Sequence, residues 1–419
     1  MKILMIVSGF VPEIGSGAQI NYDLARSYVK HGHTVDIITS FPRKYKLTNP
    51  EENILEDEFR EGVHIHRVKH YYTRDSKILR GLEHFYTPLY YFREYRRLTK
   101  ESGKYDIVFT HIPPLPMFYL AKMIEILDKT PVILNIPDYH PQELVDVGFL
   151  KNRLIIAILS HIEKTACKNA HYITVQSPGG VEYVINKGTK KDRVSYIYNS
   201  ANKNDIDTTL KLKDTFKDDE GISGKILVTY AGIFSSFQNI DAIVDTAKSL
   251  VEKTDVVFYL VGSGTEYKRI SERILTEKID NIRILPYLPR AEYLRLINAS
   301  DIALVSLDNR MHAPCIPGKM VNLLGLGKSV FAIIPNNSET QRMIEEAKCG
   351  VCAPPGNIEE ISQKLSAMIA EGKLKEYGAN GRLFFERNLT SDVASLKYEK
   401  IMEDLIEKAC YKNGGKIKS

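Results

Sequence analysis

Residues 225–241 read KILVTYAGIFSSFQNID, which is an apolar run of strand length, a loop with a glycine, and the start of a helix. The same order of strand, loop and helical pattern recurs in both halves of the chain. The apolar runs are KILMIV, TVDIIT, DIVFTH, PVILNI, HYITV and VSYIY before residue 200, and KILVTYA, VVFYLVG, NIRILP, DIALVSL and SVFAII after it. Strands that are apolar throughout and alternate with helices predict parallel sheets covered by helices on both faces.

The length of 419 residues favours two domains, because a single core seldom grows beyond about 250–300 residues. A polar, charged stretch at residues 199–224 predicts a linker between two doubly wound α/β domains, at 1–198 and 225–390. Residues 391–419 predict a C-terminal helix that packs back on the body, followed by a disordered tail. Since ligands bind such sheets at the carboxyl ends of the strands, we expect the two Rossmann-like domains to face each other across a cleft.

The composition is that of a soluble globular chain, with 43% hydrophobic and 26% charged residues. The net charge of +5 does not indicate nucleic acid, but it is compatible with an anionic membrane surface or a phosphorylated ligand. The amino terminus MKILMIV predicts a buried strand rather than a signal peptide, and no apolar run reaches the length of a membrane span.

The five cysteines form no regular framework, which favours a reducing cytoplasm over secretion. Cys349 and Cys352 have the spacing of a redox or zinc half-site. No second pair accompanies them in the sequence, so we expect buried strand cysteines and no metal site there.

Loops that follow strands in the first half carry the polar candidates. Gly15, Ser16 and Gly17 lie between the first strand and the first helix, where glycines let the backbone approach a ligand. Asp138 and His140 follow PVILNI and could accept a hydrogen bond from a sugar hydroxyl or position a nucleophile. The alternative for Asp138 is a structural role as the cap of the following helix.

Three loops of the second half open in the same way after strands. Gly232 and Ser235 follow KILVTYA, Gly262 follows VVFYLVG, and Tyr287 follows NIRILP. The exposed backbone beside Tyr287 could contact the edge of a base. Each loop alone is commonplace, but parallel strands bring all three to one edge of the sheet.

Residues 315–330 read CIPGKMVNLLGLGKSV and place Lys319 in the first turn of an apolar helix. The amino end of a helix carries partial positive charge, so a lysine is mildly unfavourable there. An anion bound by that end and by the lysine would make the arrangement favourable. The pattern therefore predicts an anion site at Lys319.

Residues 75–100, DSKILRGLEHFYTPLYYFREYRRLTK, mix aromatic and aliphatic side chains with clustered basic ones. Such a segment can lie in a membrane interface. It is equally consistent with helices whose aromatics are core and whose basic residues form a solvated face. A peripheral contact with an anionic membrane would place the protein at the inner face of the cell membrane.

Five segments resemble a known family: DYHPQ at 138–142, GFLKN at 148–152, TVQSPG at 174–179, IYN at 197–199 and PGKMVNLLGLG at 317–327. Their order and spacing resemble those of retaining GT-B glycosyltransferases of family 4, and the resemblance spans nearly the whole chain. It is greatest to the branch of N-acetyl-L-fucosamine transferases, which build O-antigen and capsule sugars.

The resemblance implies metal-independent transfer of a hexosyl or N-acetylhexosaminyl group from a nucleotide-diphosphate donor, with UDP favoured, to a lipid-linked or glycan acceptor. The second domain would hold the nucleotide sugar and the first the acceptor, without a cofactor and without nucleic acid. An alternative is a noncatalytic nucleotide-sugar-binding subunit of a partner transferase, and an epimerase of the same fold is less favoured. We expect catalytic roles for Asp138, His140 and Lys319, donor binding by Gly232, Ser235, Gly262, Tyr287, Ile316, Pro317, Gly318 and Asn322, and an acceptor-side loop at Gly15, Ser16 and Gly17.

The chain departs from the family pattern at four positions. Pro314 and Asn322 stand where family 4 enzymes usually carry two glutamates, and the second of these is expected to hold the ribose hydroxyls. Ile233 and Gln238 stand where the wider family has an arginine and a lysine. The resemblance therefore leaves Lys319, the amides of its helix and, as a further candidate, Arg310 to balance the donor phosphates.

Overall fold

The structure is a computed structural model, and it describes residues 1–42, 47, 53–69, 77–213 and 215–412. Of residues 77–82 and 412 it describes the backbone alone. The tail expected at 413–419 lies outside the described residues. The chain divides into two compact units, of which the first contains Met1–Val145, Leu150–Asn202 and the helix from Ser391 on, and the second Asp146–Phe149 and Lys203–Thr390.

The first sheet and the helices that follow its strands begin and end as follows. The strands are β1 (Lys2–Ile6), β2 (Thr34–Ser40), β3 (Asp57–Arg60), β4 (Val63–Val68), β5 (Ile107–His111), β6 (Val132–Ile136), β7 (Tyr172–Val175) and β8 (Val194–Tyr196). The helices are α1 (Ser16–Lys30), α2 (Lys77–Ser102), α3 (Met117–Asp128), α4 (Gln142–Asp146), α5 (Arg153–Asn169) and α6 (Pro178–Asn186).

Within the described residues this sheet has eight strands in the order β3-β4-β2-β1-β5-β6-β7-β8. Only β3 runs antiparallel to its neighbour, and the other pairs are parallel. From β1 the chain moves to β2 on one side and later to β5 on the other, so the strand order reverses between β1 and β5. Ligands bind doubly wound sheets at the carboxyl ends of the strands beside such a reversal.

The second sheet and its helices have the same alternation. The strands are β9 (Ile226–Ile233), β10 (Val256–Ser263), β11 (Ile282–Leu285), β12 (Ile302–Ser306), β13 (Ser329–Ile333) and β14 (Gly350–Ala353). The helices are α7 (Lys203–Lys211), α8 (Phe216–Asp219), α9 (Ile240–Ser249), α10 (Tyr267–Thr276), α11 (Arg290–Ala299), α12 (Lys319–Gly325), α13 (Glu339–Ala347), α14 (Ile358–Ala370) and α15 (Leu374–Asn388).

All pairs of the second sheet are parallel, and its order among the described residues is β11-β10-β9-β12-β13-β14. The apolar residues of β10 and β13 are almost completely buried, and so are those of β9 except Ile226 and Ile233 at its two ends, as strands covered on both faces require. The order reverses between β9 and β12, which makes their carboxyl ends the place where a ligand is expected.

Residues 199–224, which the sequence predicts as a linker, contain α7 and α8 in the structure. Ile206 and Thr209 on α7 and Phe216 on α8 are buried. Both helices are short and bury only one side, so most of their residues remain polar. Because the stretch is mostly polar, its composition did not predict the two helices.

The C-terminal helix α16 (Ser391–Lys412) belongs to the first unit and packs on α1. Its Tyr398 and Met402, four residues apart on one face, are buried in the core of that unit. Asp392 accepts a hydrogen bond from Ser27 Oγ of α1 at 2.7 Å. Among the described helices, none combines the length and the apolar composition that a membrane span needs.

Candidate active site

Lys319 opens α12 in the second unit, and its amine lies against an aromatic ring. Lys319 Nζ is 3.9 Å from the centre of the Tyr230 ring and 3.5 Å from Gln238 Oε1. Within the described residues no carboxylate forms an ion pair with this amine, and burial lowers the pKa of Lys319 to about 7. Part of the residue still reaches solvent, so an anion could approach the amine.

Gly232 leaves room for the amine of Lys319. A Cβ atom on Gly232 would lie 2.6 Å from Lys319 Nζ and 3.1 Å from the Tyr230 hydroxyl. At the next loop, Gly262 has φ +153°, and a Cβ there would lie 1.8 Å from the Gly232 carbonyl oxygen. The two expected loop glycines thus let the ends of β9 and β10 approach each other and the amine.

Polar contacts at the end of β9 position the groups around the amine. The Tyr230 hydroxyl lies 2.9 Å from the Ile233 carbonyl oxygen and 3.2 Å from Gln238 Oε1, so its one hydrogen is shared between these two acceptors. The backbone N–H of Gln238 donates to the Ser235 carbonyl oxygen at 3.0 Å, which closes the turn before α9. Gln238 stands where the family that the sequence resembles has a lysine. Its side chain contacts both Lys319 and Tyr230.

The remaining expected donor residues lie in the segments before and within α12. Ile316 is buried, and Pro317 and Gly318 are half-buried in front of Lys319. The helix has only seven residues, so its dipole is small, and the charge of Lys319 is the main attraction for an anion.

A second polar group joins α11 to α12. The Asn322 side chain forms a hydrogen bond with the Tyr293 hydroxyl, and burial raises the pKa of that tyrosine. Arg290 Nη2 is buried without a hydrogen-bond partner among the described residues. Tyr287 is 41% exposed, and its pKa is raised by burial and lowered by the nearby charge of Arg290.

Asp138 and His140 lie in the first unit after β6. The Asp138 side chain is exposed and makes no hydrogen bond within the described chain, so the alternative of a helix cap receives no support. Protein around its carboxyl group nevertheless raises the pKa of Asp138. Burial, with a smaller effect from His84, lowers the pKa of His140 to about 4. The imidazole of His140 is therefore neutral near pH 7.

Two further groups lie at the carboxyl edge of the first sheet. His111 ends β5, and its Nε2 lies 3.0 Å from Ser8 Oγ, which follows β1. Burial lowers the pKa of His111 to about 4. Because β1, β5 and β6 are neighbours, Ser8, His111 and Asp138 follow adjacent strand ends.

The glycine loop Gly15, Ser16 and Gly17 starts α1 and is exposed. Gly15 has φ +146°, a conformation that L side chains rarely adopt, and a Cβ atom there would meet nothing within 4 Å. Backbone conformation therefore explains the glycine at 15, whereas lack of space does not.

One group of described residues has ligand atoms close enough together for a metal ion: Asp57, His66 and Glu94. His66 Nδ1 lies 2.6 Å from Asp57 Oδ1. Arg97 forms ion pairs with both Asp57 and Glu94. Because the guanidinium already supplies the positive charge between the carboxylates, this group is an ion-pair network.

Comparison with models of known protein families gives two matches. Residues 15–200 match the model "Glycosyl transferase 4-like domain", and residues 213–384 match "Glycosyl transferases group 1". The chain is a GT-B glycosyltransferase.

Relatives of this glycosyltransferase are distant in sequence. It is 22% identical over 319 residues to the probable glycosyltransferase WbjE of Pseudomonas aeruginosa, covering 75% of this chain and 78% of that protein. Sucrose-phosphate synthase of Thermosynechococcus elongatus matches with a TM-score of 0.76 at 15% identity, over 97% of this chain and 100% of that one. HepE of Anabaena, solved in complex with UDP, matches with a TM-score of 0.70 at 14% identity, over 96% and 100%.

Three residues of the glycosyltransferase's candidate site were missed by sequence reasoning. Tyr230 and Tyr293 lie in an apolar strand and an amphipathic helix, where a tyrosine predicts core, and His111 ends a strand. The available signal for His111 was its position at the end of an apolar strand, directly before a loop. No local signal links Tyr230 to a lysine 89 positions later in the chain.

Proposed function

We propose that the protein is a retaining glycosyltransferase that takes its sugar from a nucleotide-diphosphate donor, with UDP as the nucleotide. The acceptor is a lipid-linked sugar or a glycan of surface polysaccharide biosynthesis, such as O-antigen or capsule. The observation that carries the proposal is the Lys319 amine, which is held over the Tyr230 ring without a carboxylate partner among the described residues. HepE, with the same fold, has been solved with UDP and with UDP-glucose.

In this proposal Lys319 binds the donor diphosphate and stabilises the charge that develops as the sugar leaves. Gln238 and Tyr230 keep the amine in place, so the single cation acts without the two cations of the wider family. Retention needs no separate base if the departing phosphate oxygen accepts the proton of the acceptor hydroxyl. Transfer is then metal-independent, and added divalent ion is predicted to leave its rate unchanged.

The first unit contributes the acceptor side in this proposal. Asp138 is exposed at the end of β6, and His140 is neutral near pH 7, so both can form hydrogen bonds with sugar hydroxyls. His111, whose imidazole is also neutral near pH 7, is a third hydrogen-bonding group at the same edge of the sheet. The loop at Gly15–Gly17 would contact the acceptor through its backbone.

The alternative of a noncatalytic nucleotide-sugar-binding subunit keeps one observation in its favour. Asn322, at the position expected to hold the ribose, is engaged with the Tyr293 hydroxyl. A subunit of this kind would bind the nucleotide sugar and neither transfer nor hydrolyse it. Single-turnover assays with radiolabelled UDP-sugars separate the two functions, because only the enzyme releases UDP.

The test of donor binding is a thermal-shift screen with nucleoside diphosphates and their sugars. A ligand at about a hundred times its dissociation constant stabilises the fold by about 2.7 kcal/mol. We expect one nucleotide to raise the Tm of the wild type and not of Lys319→Ala. Lys268→Ala is the matched control, because that side chain is 88% exposed on α10 of the same unit. An equal response from the wild type and Lys319→Ala would refute the role of Lys319.

A further inference from the structure

Three helices of the first unit lie on one face of its sheet. The connections from β4 to β5, from β5 to β6 and from β6 to β7 all move in the same direction along the strand order, and they contain α2, α3 and α5. Crossovers between parallel strands are right-handed, so helices of connections that move in one direction cover one face. The contact of α2 with α3 agrees with this placement. We call the surface of these three helices the α2–α3–α5 face.

This face exposes an unusual number of large apolar side chains. Single exposed apolar residues are normal on soluble proteins, but groups of them on one surface mark interaction sites. The exposed large apolar residues of the face are Phe85, Leu89 and Tyr90 on α2, Tyr119, Ile126 and Leu127 on α3, and Leu154, Ile155 and Ile158 on α5.

The helix α2 has aromatic and aliphatic side chains on both its buried and its exposed side. Tyr91, Tyr95 and Leu98 are buried and belong to the core side of the helix. Phe85 and Leu89 point outward, and Leu89 is 61% exposed. Residues 70–76 lie outside the described chain, and the side chains of α2 are described from Glu83 on.

The amino-terminal half of α5 is the most exposed apolar part of the face. Leu154 is 70% exposed, Ile155 45% and Ile158 48%. The Asn152 side chain accepts hydrogen bonds from the N–H groups of Leu154 and Ile155 at 3.0 and 3.1 Å, so the first turn is capped without being covered. The start of α5 therefore presents large apolar side chains to solvent.

The charges of the face are unbalanced in favour of cations. Each described acidic residue of the three helices is buried or has a basic partner, as Glu125 has in Lys122 and Asp128 in Arg96. The cations that form no ion pair or hydrogen bond among the described residues are Arg93 and Lys100 on α2 and Arg153, Lys164 and Lys168 on α5. On the part of these three helices whose side chains the structure describes, the unpaired charge therefore has one sign.

The two properties coincide along α5. Leu154, Ile158 and Lys168 lie within about 80° of one another around the helix, given 100° per residue. The solvent-facing side of α5 is thus apolar at the start of the helix and basic at its end. An interfacial helix at a lipid surface combines an apolar part that enters the acyl boundary with basic groups that meet anionic headgroups.

We infer that the α2–α3–α5 face binds the surface of an anionic lipid bilayer, with the first half of α5 entering the interface. The inference rests on exposure and charge in the first unit, and it goes beyond the proposed sugar transfer. A second copy of the chain fits the face less well, because a symmetric pair would bring the unpaired cations of both copies together. Anionic lipid satisfies the cations and covers the apolar residues at once.

The experiment is flotation of the full chain with vesicles of phosphatidylcholine alone or with about 30% phosphatidylglycerol, a content chosen to give a strongly anionic surface. We expect binding to the anionic vesicles alone, weakened more than tenfold by Leu154→Ser with Ile158→Ser. Leu275→Ser with Leu383→Ser, two exposed leucines of the second unit, is the matched control and should bind as the wild type does.

A second pair of variants tests the cations. Arg93→Ser with Arg153→Ser should weaken binding about fivefold for each arginine, as one unit charge near an anionic surface implies. Lys253→Ser with Lys268→Ser on the second unit should leave it unchanged. Equal binding to neutral vesicles, or wild-type binding by both face variants, would overturn the inference, and so would a dimer that the leucine variant abolishes.

The nucleotide-induced thermal shift of each face variant separates this inference from the proposed function. A variant that loses vesicle binding but keeps the shift is folded and supports the lipid face. Vesicle binding by a wild-type protein that shows no shift with any nucleotide would support the lipid face and count against the proposed donor.

Discussion

We predict that the amine of Lys319 makes the proposed binding of a nucleotide sugar depend on pH. Burial lowers the pKa of Lys319 to about 7, and a diphosphate beside the amine raises it again because it stabilises the charged form. The complex therefore needs a protonated amine, whereas the free protein near pH 8 has only about a tenth of its amines charged. We predict that binding takes up a proton.

The magnitude follows from the pKa of the free protein. If the complex stays protonated throughout, the dissociation constant rises about tenfold between pH 6 and pH 8, or about 1.4 kcal/mol. UDP-glucose is the suitable probe, because its diphosphate is esterified at both ends and does not titrate in this range. The buried His111 and His140, whose pKa values are lowered to about 4, are already neutral at pH 6.

Isothermal titration calorimetry measures both quantities. At pH 8, titrations in two buffers with different ionisation enthalpies should give close to 0.9 protons taken up per UDP-glucose bound, roughly the uncharged fraction of the amine. Lys319→Arg should abolish the uptake and the pH dependence, since a guanidinium stays charged. His312→Gln is the control for a histidine of the second unit and should behave like the wild type.

The stability of the ligand-free protein should change with pH in the opposite direction to its affinity for UDP-glucose. The unfolded chain has the ordinary lysine pKa of 10.5, so between pH 7 and 10.5 it binds more protons at this position than the folded chain does. The contribution of Lys319 to the free energy of unfolding therefore rises with pH across that window. A wild-type protein with the same affinity for UDP-glucose at pH 6 and pH 8 and no proton uptake would refute the reasoning.

Other substitutions test the two units separately. Gly232→Ala should weaken UDP-glucose binding at least tenfold in calorimetry, because its Cβ atom would lie 2.6 Å from Lys319 Nζ; unchanged affinity would mean that the amine is free to move away. Asp138→Asn should lower the rate of sugar transfer by about a hundredfold or more and leave the nucleotide thermal shift intact, whereas loss of both would indicate misfolding. Met402→Ala should lower the free energy of unfolding by about 2–5 kcal/mol in urea, and a smaller change would show that α16 adds little to the first core.

The strand pattern of the sequence predicts the fold because it repeats a strong physical signal. Runs such as KILMIV and VVFYLVG are apolar on both sides of the strand, and β1 and β10 are buried on both faces in the structure. The stretch at 199–224 has no such signal, since α7 and α8 bury few residues. Its helices were therefore missed.

The sequence points to a candidate site residue only where that residue is unusual by itself. A lysine at the start of an apolar helix is such a residue; its amine has no carboxylate partner among the described residues, and the anion site there stays a prediction. Tyr230 is not unusual in a buried strand, and its contact with Lys319 joins positions that only the folded sheet brings together. Contacts of this kind depend on topology, which a single sequence pattern does not contain.

The C-terminal helix α16 determines the order in which the protein can be completed during synthesis. The ribosome delivers residues 1–202 first, but the core of the first unit includes Tyr398 and Met402. The second unit, at 203–390, has its own core and emerges in full before residues 391–412 do. The domain that begins first is thus finished last, and until then its incomplete core is the part of the nascent chain that chaperones are expected to protect.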